Sequence, residues 1–203
     1  GVVGRRAGAI PILQSIRFGA ATYHTQWMTN DPDRFCTDEP VEQTDDEGNV
    51  FLFCNGTAEA EEGPVGEEAL NEIQEGETIF FVDAASASGY YYPATQLQRV
   101  TGLDPLTDID AQFAGGHPNA VQAVARGDGP LGTSFDDART QVVEEDPEIG
   151  TKAVVFAYSA EIPNDGFAVS GDLPESLQLA IEEALLAIAD TEEGAKALFD
   201  VYE

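Results

Sequence analysis

The chain has 203 residues, of which 9 are Lys or Arg and 38 are Asp or Glu, so its formal net charge at pH 7 is −29. Apolar residues make up 42% and aromatic residues 9%, too much for a disordered acidic tail and enough for a core of one or two domains. A negative field of this size repels nucleic acid and anionic lipid, and it opposes anionic ligands unless a local pocket overrides it.

The kind of charge is also informative. Only two of the basic residues are lysines, Lys152 and Lys196. Many acids with little lysine are typical of proteins bathed in high salt, which screens their self-repulsion; an ordinary acidic secreted protein is the alternative. The sequence contains no apolar run that could span a bilayer and no visible signal peptide, so we expect a mature, processed or excised piece.

Predicted strands and helices alternate along most of the chain. An apolar segment at 7–18 and a strand at 20–28 come first. Residues 31–77 hold sixteen acids and one arginine, which predicts an exposed, loop-rich insertion with a hairpin and a short helix at 66–74. The later predicted strands lie at 78–82, 131–135 and 153–158, and the later predicted helices at about 83–98 and 118–126. Two further helices are predicted at the C-terminus from apolar residues at helical spacing. The first carries Leu177, Ile181, Leu185 and Ile188, and the second carries Ala195, Leu198 and Phe199. This alternation predicts an α/β fold with a mainly parallel sheet.

Two cysteines bracket the predicted hairpin. Cys36 precedes it, and the strand-like residues 50–53 lead directly into Cys54. A disulfide would close the hairpin and implies an exported protein, whereas two free buried thiols are the alternative. A metal site is not expected, because two cysteines at this spacing without a nearby histidine pair form an incomplete ligand set.

The most specific local feature is the strand–turn–helix at 82–90. A turn rich in Ser and Gly at the start of a helix presents free N–H groups, hydroxyls and the positive end of the helix dipole, which together bind an anion. N-capping by Ser86 or Ser88 is the simpler alternative. A Walker-type phosphate loop is excluded, because no Gly-Lys-Ser/Thr follows.

The sequence makes no case for an enzyme. His117 stands at another helix start, where a histidine is more often a loop residue than a functional one. The sequence contains no Gly-x-Ser-x-Gly nucleophile elbow, and carboxylates are too numerous for any acid–base pair to stand out. We therefore expect no catalytic residues and no cofactor.

Five segments, in order, resemble the phosphonate-type solute-binding proteins of ABC importers. The segment FVDAASASGY at 81–90 is similar to that family's Asp-x-x-Ser-Thr-Ser-Gly-Tyr motif, with Ala87 in place of the threonine. The other four segments lie at 21–25, 116–127, 132–137 and 159–165. The resemblance covers most of residues 10–203, but the strands and helix that begin the family's first lobe have no counterpart.

This resemblance implies a two-lobed, type II periplasmic-binding-protein fold with an incomplete first lobe. Residues 1–22 and 153–203 would be the remnant of the first lobe, and 23–152 the second lobe with its cysteine-bracketed insertion at about 31–77. The implied ligand, clamped between the lobes, is a phosphonate, phosphite or related oxyanion. The implied ligand-binding residues are Ser86, Ser88, Gly89, Tyr23, His117 and Asp136 (or Asp137).

The implied function is that of an extracytoplasmic solute-binding component, periplasmic or anchored at the cell surface. Its partners would be the membrane permease of an ABC transporter and a companion chain that supplies the missing N-terminal part. The alternative is an extracellular structural or interaction subunit that keeps the fold without a working cleft. Ala87 and the incomplete first lobe favour that alternative.

Overall fold

The computed structural model describes residues 8–17 and 19–202, with the side chains of 199–202 left out. Ala7 and Phe18, which bound the first predicted segment, and the side chain of Phe199 therefore lie outside the described residues. The chain divides into two compact units, one formed by residues 1–22 and 163–203 and the other by residues 23–162.

The larger unit is built on a seven-stranded sheet. In chain order its strands are β3 (Thr25–Thr29), β4 (Val41–Thr44), β5 (Val50–Phe53), β6 (Thr78–Phe81), β7 (Asp110–Phe113), β8 (Leu131–Phe135) and β9 (Val154–Tyr158). They lie side by side in the order β4-β5-β9-β3-β8-β6-β7. Five of the seven strands run in the same direction, while β3 and β4 run against them. The predicted α/β fold with a mainly parallel sheet is confirmed.

Helices and short helical turns connect these strands. The α-helices of the larger unit are α1 (Pro32–Phe35), α2 (Tyr92–Thr101), α3 (His117–Arg126) and α4 (Ile149–Lys152). The short turns are 3₁₀ helices at Thr57–Glu59, Glu67–Glu72 and Ala138–Gln141 and a π-helical turn at Ala87–Tyr91 that runs directly into α2. The helices α2 and α3 match the two predicted in mid-chain, and both begin at the carboxyl end of a strand.

The core of the larger unit lies on both faces of the sheet. Trp27 and Met28, neighbours on β3, point to opposite faces because side chains alternate along a strand, and both are fully buried. On one face, the Trp27 indole N–H donates to Gln96 Oε1 on α2 at 2.9 Å. On the other face, Met28 packs in one cluster with Val121 and Val124 of α3.

The segment 31–77 is more integrated than the sequence predicts. Strands β4 and β5 form the expected antiparallel hairpin, with Val41 opposite Phe53 and Thr44 opposite Val50. The expectation of an exposed insertion is wrong, because Phe35 and Leu70 are buried in the core and β5 pairs with β9 inside the sheet. The acids dominate the composition, but they line the solvent side of a segment whose few large apolar residues face inward.

The smaller unit contains strands β1 (Ala9–Gln14) and β11 (Gly166–Ser170), paired antiparallel, and helices α5 (Glu175–Ala189) and α6 (Glu192–Tyr202). Two-residue strands, β2 (Thr22–Tyr23) and β10 (Ile162–Pro163), lie where the chain passes from one unit to the other. The sequence places that passage at residue 153. The structure instead keeps β9 in the middle of the large sheet, between β5 and β3, and the chain changes unit after Ile162.

Candidate anion-binding site

The topology places the predicted ligand-binding residues at one edge of the seven-stranded sheet. Strands β6, β7 and β8 run parallel and end at this edge, and the segments carrying Ser86, His117 and Asp136 follow them. Strand β3 runs antiparallel to β8 and begins at the same edge, two residues after Tyr23. The carboxyl edge of a parallel sheet is where α/β proteins bind ligands, so this edge is the candidate site.

The turn after β6 places two backbone N–H groups without an acceptor, among the described residues, at a helix start. Ser86 caps the turn, and its Oγ accepts a hydrogen bond from the N–H of Gly89 at 3.0 Å. The N–H groups of Ala87 and Ser88 donate to no group in the described part of the chain. The turn continues into α2, so these amides carry the positive end of the helix dipole.

Two of the predicted ligand contacts are changed by this geometry. The N–H of Gly89, predicted to hold the ligand, donates to Ser86 Oγ. The amides of the turn that have no acceptor among the described residues are those of Ala87 and Ser88. Ser86 acts as the N-cap that the alternative interpretation proposed, although its own hydroxyl proton stays available. Gly89 is needed for packing, because a Cβ there would lie 2.4 Å from the Cβ of Val82.

Two threonines that the sequence analysis missed hold the turn against the sheet. Thr25 on β3 donates its hydroxyl to the carbonyl oxygen of Ser88 at 2.9 Å, and Thr133 on β8 donates to that of Gly89 at 3.0 Å. Both threonines are fully buried. Nothing in the sequence pattern distinguishes them from other strand threonines, since the register of β3 against β8 creates the contact.

His117 lies at the start of α3 with one ring nitrogen occupied. Its Nδ1 is 2.8 Å from Ser134 Oγ and accepts the N–H of Phe135 at 3.4 Å. A backbone N–H can only donate, so Nδ1 carries no proton and Nε2 carries it. Burial lowers the pKa of His117 and keeps the ring neutral. The imidazole therefore presents one N–H donor, from Nε2, suited to an oxyanion.

Asp136 follows β8 and lines a cavity of about 340 Å³. Tyr158 on β9 lines the same cavity and donates its hydroxyl to Asp136 Oδ1 at 3.1 Å. Removal of water by the surrounding protein, with a further contribution from the charge of Asp137, raises the pKa of Asp136 to about 6. Asp137 itself is engaged in an ion pair with Arg139 at 2.6 Å. Of the two adjacent acids, Asp136 is therefore the one without an ion pair among the described residues, and the cavity that both acids line contains none of the other predicted ligand residues.

Titration of Asp136 tests this description of its surroundings. We expect the carboxyl carbon of Asp136 to titrate by NMR with a midpoint near 6, above the ordinary value of 3.8. Because the folded pKa lies above the unfolded one, this group favours the folded state more as pH falls from about 7 towards 4. Tyr158→Phe removes the hydrogen bond that stabilises the ionised form, so the midpoint should move higher still. A midpoint near 4 in the unmodified protein would contradict the proposed desolvation.

Tyr23, the last predicted ligand residue, ends β2 and is half-buried at the same edge.

Among the residues that the structure describes, no three His, Cys, Asp or Glu side chains are grouped as metal ligands. Within that same part of the chain, no helix is both long enough and apolar enough to cross a membrane.

Solved structures identify the class of fold. A binding protein component of an ABC phosphonate transporter from Pseudomonas aeruginosa matches 98% of this chain and 56% of its own, with a TM-score of 0.63 and 17% sequence identity. PhnD1 from Prochlorococcus marinus in complex with methylphosphonate matches 94% of this chain and 62% of its own, with a TM-score of 0.60 and 14% identity. The fold is that of a type II periplasmic-binding protein.

The sequence narrows this class to one family. Residues 2–202 match the family described as "ABC transporter, phosphonate, periplasmic substrate-binding protein", and the chain belongs to that family. The phosphate-import protein PhnD of Mycolicibacterium smegmatis is 36% identical over 78 residues, which are 34% of this chain and 24% of that protein. The predicted resemblance is confirmed, and so is the expectation that the chain is not an enzyme, because the family consists of transport proteins. The chain spans 24% to 62% of the length of these three relatives.

Proposed function

We propose that this chain belongs to the extracytoplasmic solute-binding component of an ABC importer and binds a phosphonate, phosphite or phosphate-type oxyanion. The observation that supports this most directly is the turn of residues 86–91, where the amides of Ala87 and Ser88 at the start of a helix have no acceptor in the described part of the chain. Family membership supports the ligand class, and a membrane permease would be the partner.

The proposed site uses dipoles rather than net positive charge. Ligand oxygens would accept the amides of Ala87 and Ser88 and the hydroxyl of Ser88, which donates to no described residue. Tyr23 and the Nε2–H of His117 would add donors from neighbouring elements, and Asp136 would face the other end of the ligand. A neutral set of donors at a helix start holds an anion even in a protein of net charge −29. A cleft between two lobes and a companion chain remain predictions.

Ligand-induced stabilisation tests the proposal. We expect one or more of phosphate, phosphite, methylphosphonate and 2-aminoethylphosphonate to raise the melting temperature in molar salt, with sulfate as the comparison anion. A ligand that binds only the folded state adds about 2.7 kcal/mol at a hundred times its dissociation constant. Differential scanning fluorimetry gives the shift, and isothermal titration calorimetry gives the affinity.

Ser88→Ala should reduce the affinity for that oxyanion about tenfold or more, because one direct hydrogen bond to a charged group is lost. Ser176→Ala is the matched control, since Ser176 lies exposed on α5 in the smaller unit, and it should leave binding unchanged. If the folded protein responds to none of these anions, the proposed function is wrong and the chain is better explained as a structural or interaction subunit.

A further inference from the structure

A second cavity in the larger unit begins at the same helical turn as the proposed anion site. It has a volume of about 300 Å³, and its lining includes Tyr91, Tyr92, Thr95, Arg99, Ser159 and Ala160. Tyr91 closes the turn, since its N–H donates to the carbonyl oxygen of Ser86 at 3.0 Å. The turn whose Ala87 and Ser88 amides lack an acceptor among the described residues therefore ends in a residue that lines this cavity.

A second connection joins the cavity to the turn through β3. The hydroxyl of Thr25 donates to the carbonyl oxygen of Ser88, and the N–H of Thr25 donates to Ser159 Oγ, both at 2.9 Å. Ser159 also lines the cavity. The buried residue Thr25 is therefore hydrogen-bonded both to the turn of residues 86–91 and to a residue that lines the cavity.

Apart from the two tyrosines, the polar side chains of the lining are bonded within the protein. Thr95 donates its hydroxyl to the carbonyl oxygen of Tyr91 at 2.7 Å, and Ser159 donates to that of Ala160 at 2.7 Å. The guanidinium of Arg99 is paired with Glu67. What these groups leave for an occupant is a mostly apolar lining with two phenol rings, which suits an apolar or aromatic group better than a second charged one.

The Tyr91 ring is exposed and lies beside a second aromatic ring. Its exposed fraction is 58%, and the Tyr90 ring lies 5.8 Å away by ring centroid. Tyr90 in turn packs edge-on against Phe81 and Phe113 at 5.1 and 5.2 Å. An exposed aromatic ring beside a half-buried tyrosine, which itself packs against the buried Phe81 ring, offers a surface for stacking.

We propose that this cavity is a subsite for an aromatic substituent on a phosphonate whose oxyanion lies at the turn of residues 86–91. The proposal rests on the proposed function and deepens it, because it names arylphosphonates as the ligand class. The oxyanion would be held by the turn's amides, and the ring would lie against Tyr91 and the apolar lining beyond it.

Calorimetric titration with methylphosphonate, phenylphosphonate, benzylphosphonate and 2-phenylethylphosphonate tests the subsite, since the series varies only the group beyond the phosphorus atom. We expect at least one aryl member to bind about tenfold more tightly than methylphosphonate. Tyr91→Ala should remove most of that gain, so that the aryl and methyl members bind with similar affinities. Tyr91→Phe, which keeps the ring, should retain the gain, and so should Leu106→Ala, which removes an exposed apolar side chain that does not line the cavity.

The possible results separate this proposal from the proposed function. Binding of methylphosphonate or phosphate without any gain from an aryl group overturns the subsite and leaves the proposed function standing. An equal loss of methylphosphonate and arylphosphonate affinity in Tyr91→Ala also overturns it, since the effect would then lie in the turn itself. If neither the simple oxyanions nor the arylphosphonates bind, both proposals are wrong.

Discussion

Replacing Asp137 with alanine is expected to lower the free energy of unfolding by about 3–5 kcal/mol, because it leaves a buried guanidinium without its counter-ion. Arg139 is fully buried, and Asp137 accepts from its Nε and Nη2 atoms at 2.9 and 2.6 Å. The same carboxylate also accepts the N–H of Arg139 at 3.0 Å, which caps the turn at Ala138–Gln141.

The remaining contacts of Arg139 do not remove the need for that charge. Its Nη1 donates to the carbonyl oxygens of Leu52 and Ala153, both at 2.9 Å, and its guanidinium lies over the Phe53 ring at 4.5 Å. These contacts hold the group at the join between β5, β9 and the turn, so it cannot swing into solvent when its partner is lost. Urea unfolding followed by circular dichroism measures the change.

Asp128→Ala is the matched control for this prediction. Asp128 also pairs with an arginine, Arg126, but the two side chains are 50% and 60% exposed. Exposed pairs contribute little, so this change should cost less than about 1 kcal/mol. Equal effects of Asp128→Ala and Asp137→Ala would contradict the idea that Arg139 depends on Asp137 for its charge balance.

Local patterns in the sequence were sufficient to predict much of the fold. The short apolar runs at 78–82 and 131–135 lie between turn residues and are strands, and the spacing of apolar residues in 118–126 predicts α3. The cysteine spacing predicts the disulfide that the structure contains. These features succeed because each depends on residues close together in the chain, where periodicity and turn chemistry act directly.

Features that depend on register or on distant partners could not be predicted in this way. Thr25 and Thr133 support the anion turn only because β3 lies against β8, and Arg139 is buried only because β5, β9 and Asp137 surround it. The sequence predicts the boundary between the two units at residue 153, whereas the structure has it after Ile162. The difference arises because β9 has the apolar pattern of any strand, and only the folded sheet shows that it lies between β5 and β3. At the site, the turn was predictable from its Ser and Gly residues. The hydrogen bond that occupies the Gly89 amide required the folded geometry.

Removing the disulfide between Cys36 and Cys54 is expected to lower the free energy of unfolding by about 3 kcal/mol. The two cysteines are 18 residues apart, and in the loop-entropy model a cross-link of this span restricts the unfolded chain by about that amount. Cys36 ends α1 and Cys54 follows β5, so the bond closes the whole β4–β5 hairpin. Cys36→Ser with Cys54→Ser, compared with the unmodified protein by urea unfolding without reductant, gives the difference.

The folded hairpin should survive this change, so the effect should lie mainly in the unfolded state. Asn55, next to Cys54, donates its amide to the carbonyl oxygens of Phe35 and Phe156 at 2.8 and 3.0 Å. It also accepts the N–H of Thr37 at 2.9 Å, so the ends of the hairpin stay joined without the bond. Reductant should destabilise the unmodified protein by a similar amount and leave the double variant unchanged. An unfolding free energy within about 0.5 kcal/mol of the unmodified protein would mean that the unfolded chain gains little freedom when the cross-link is lost.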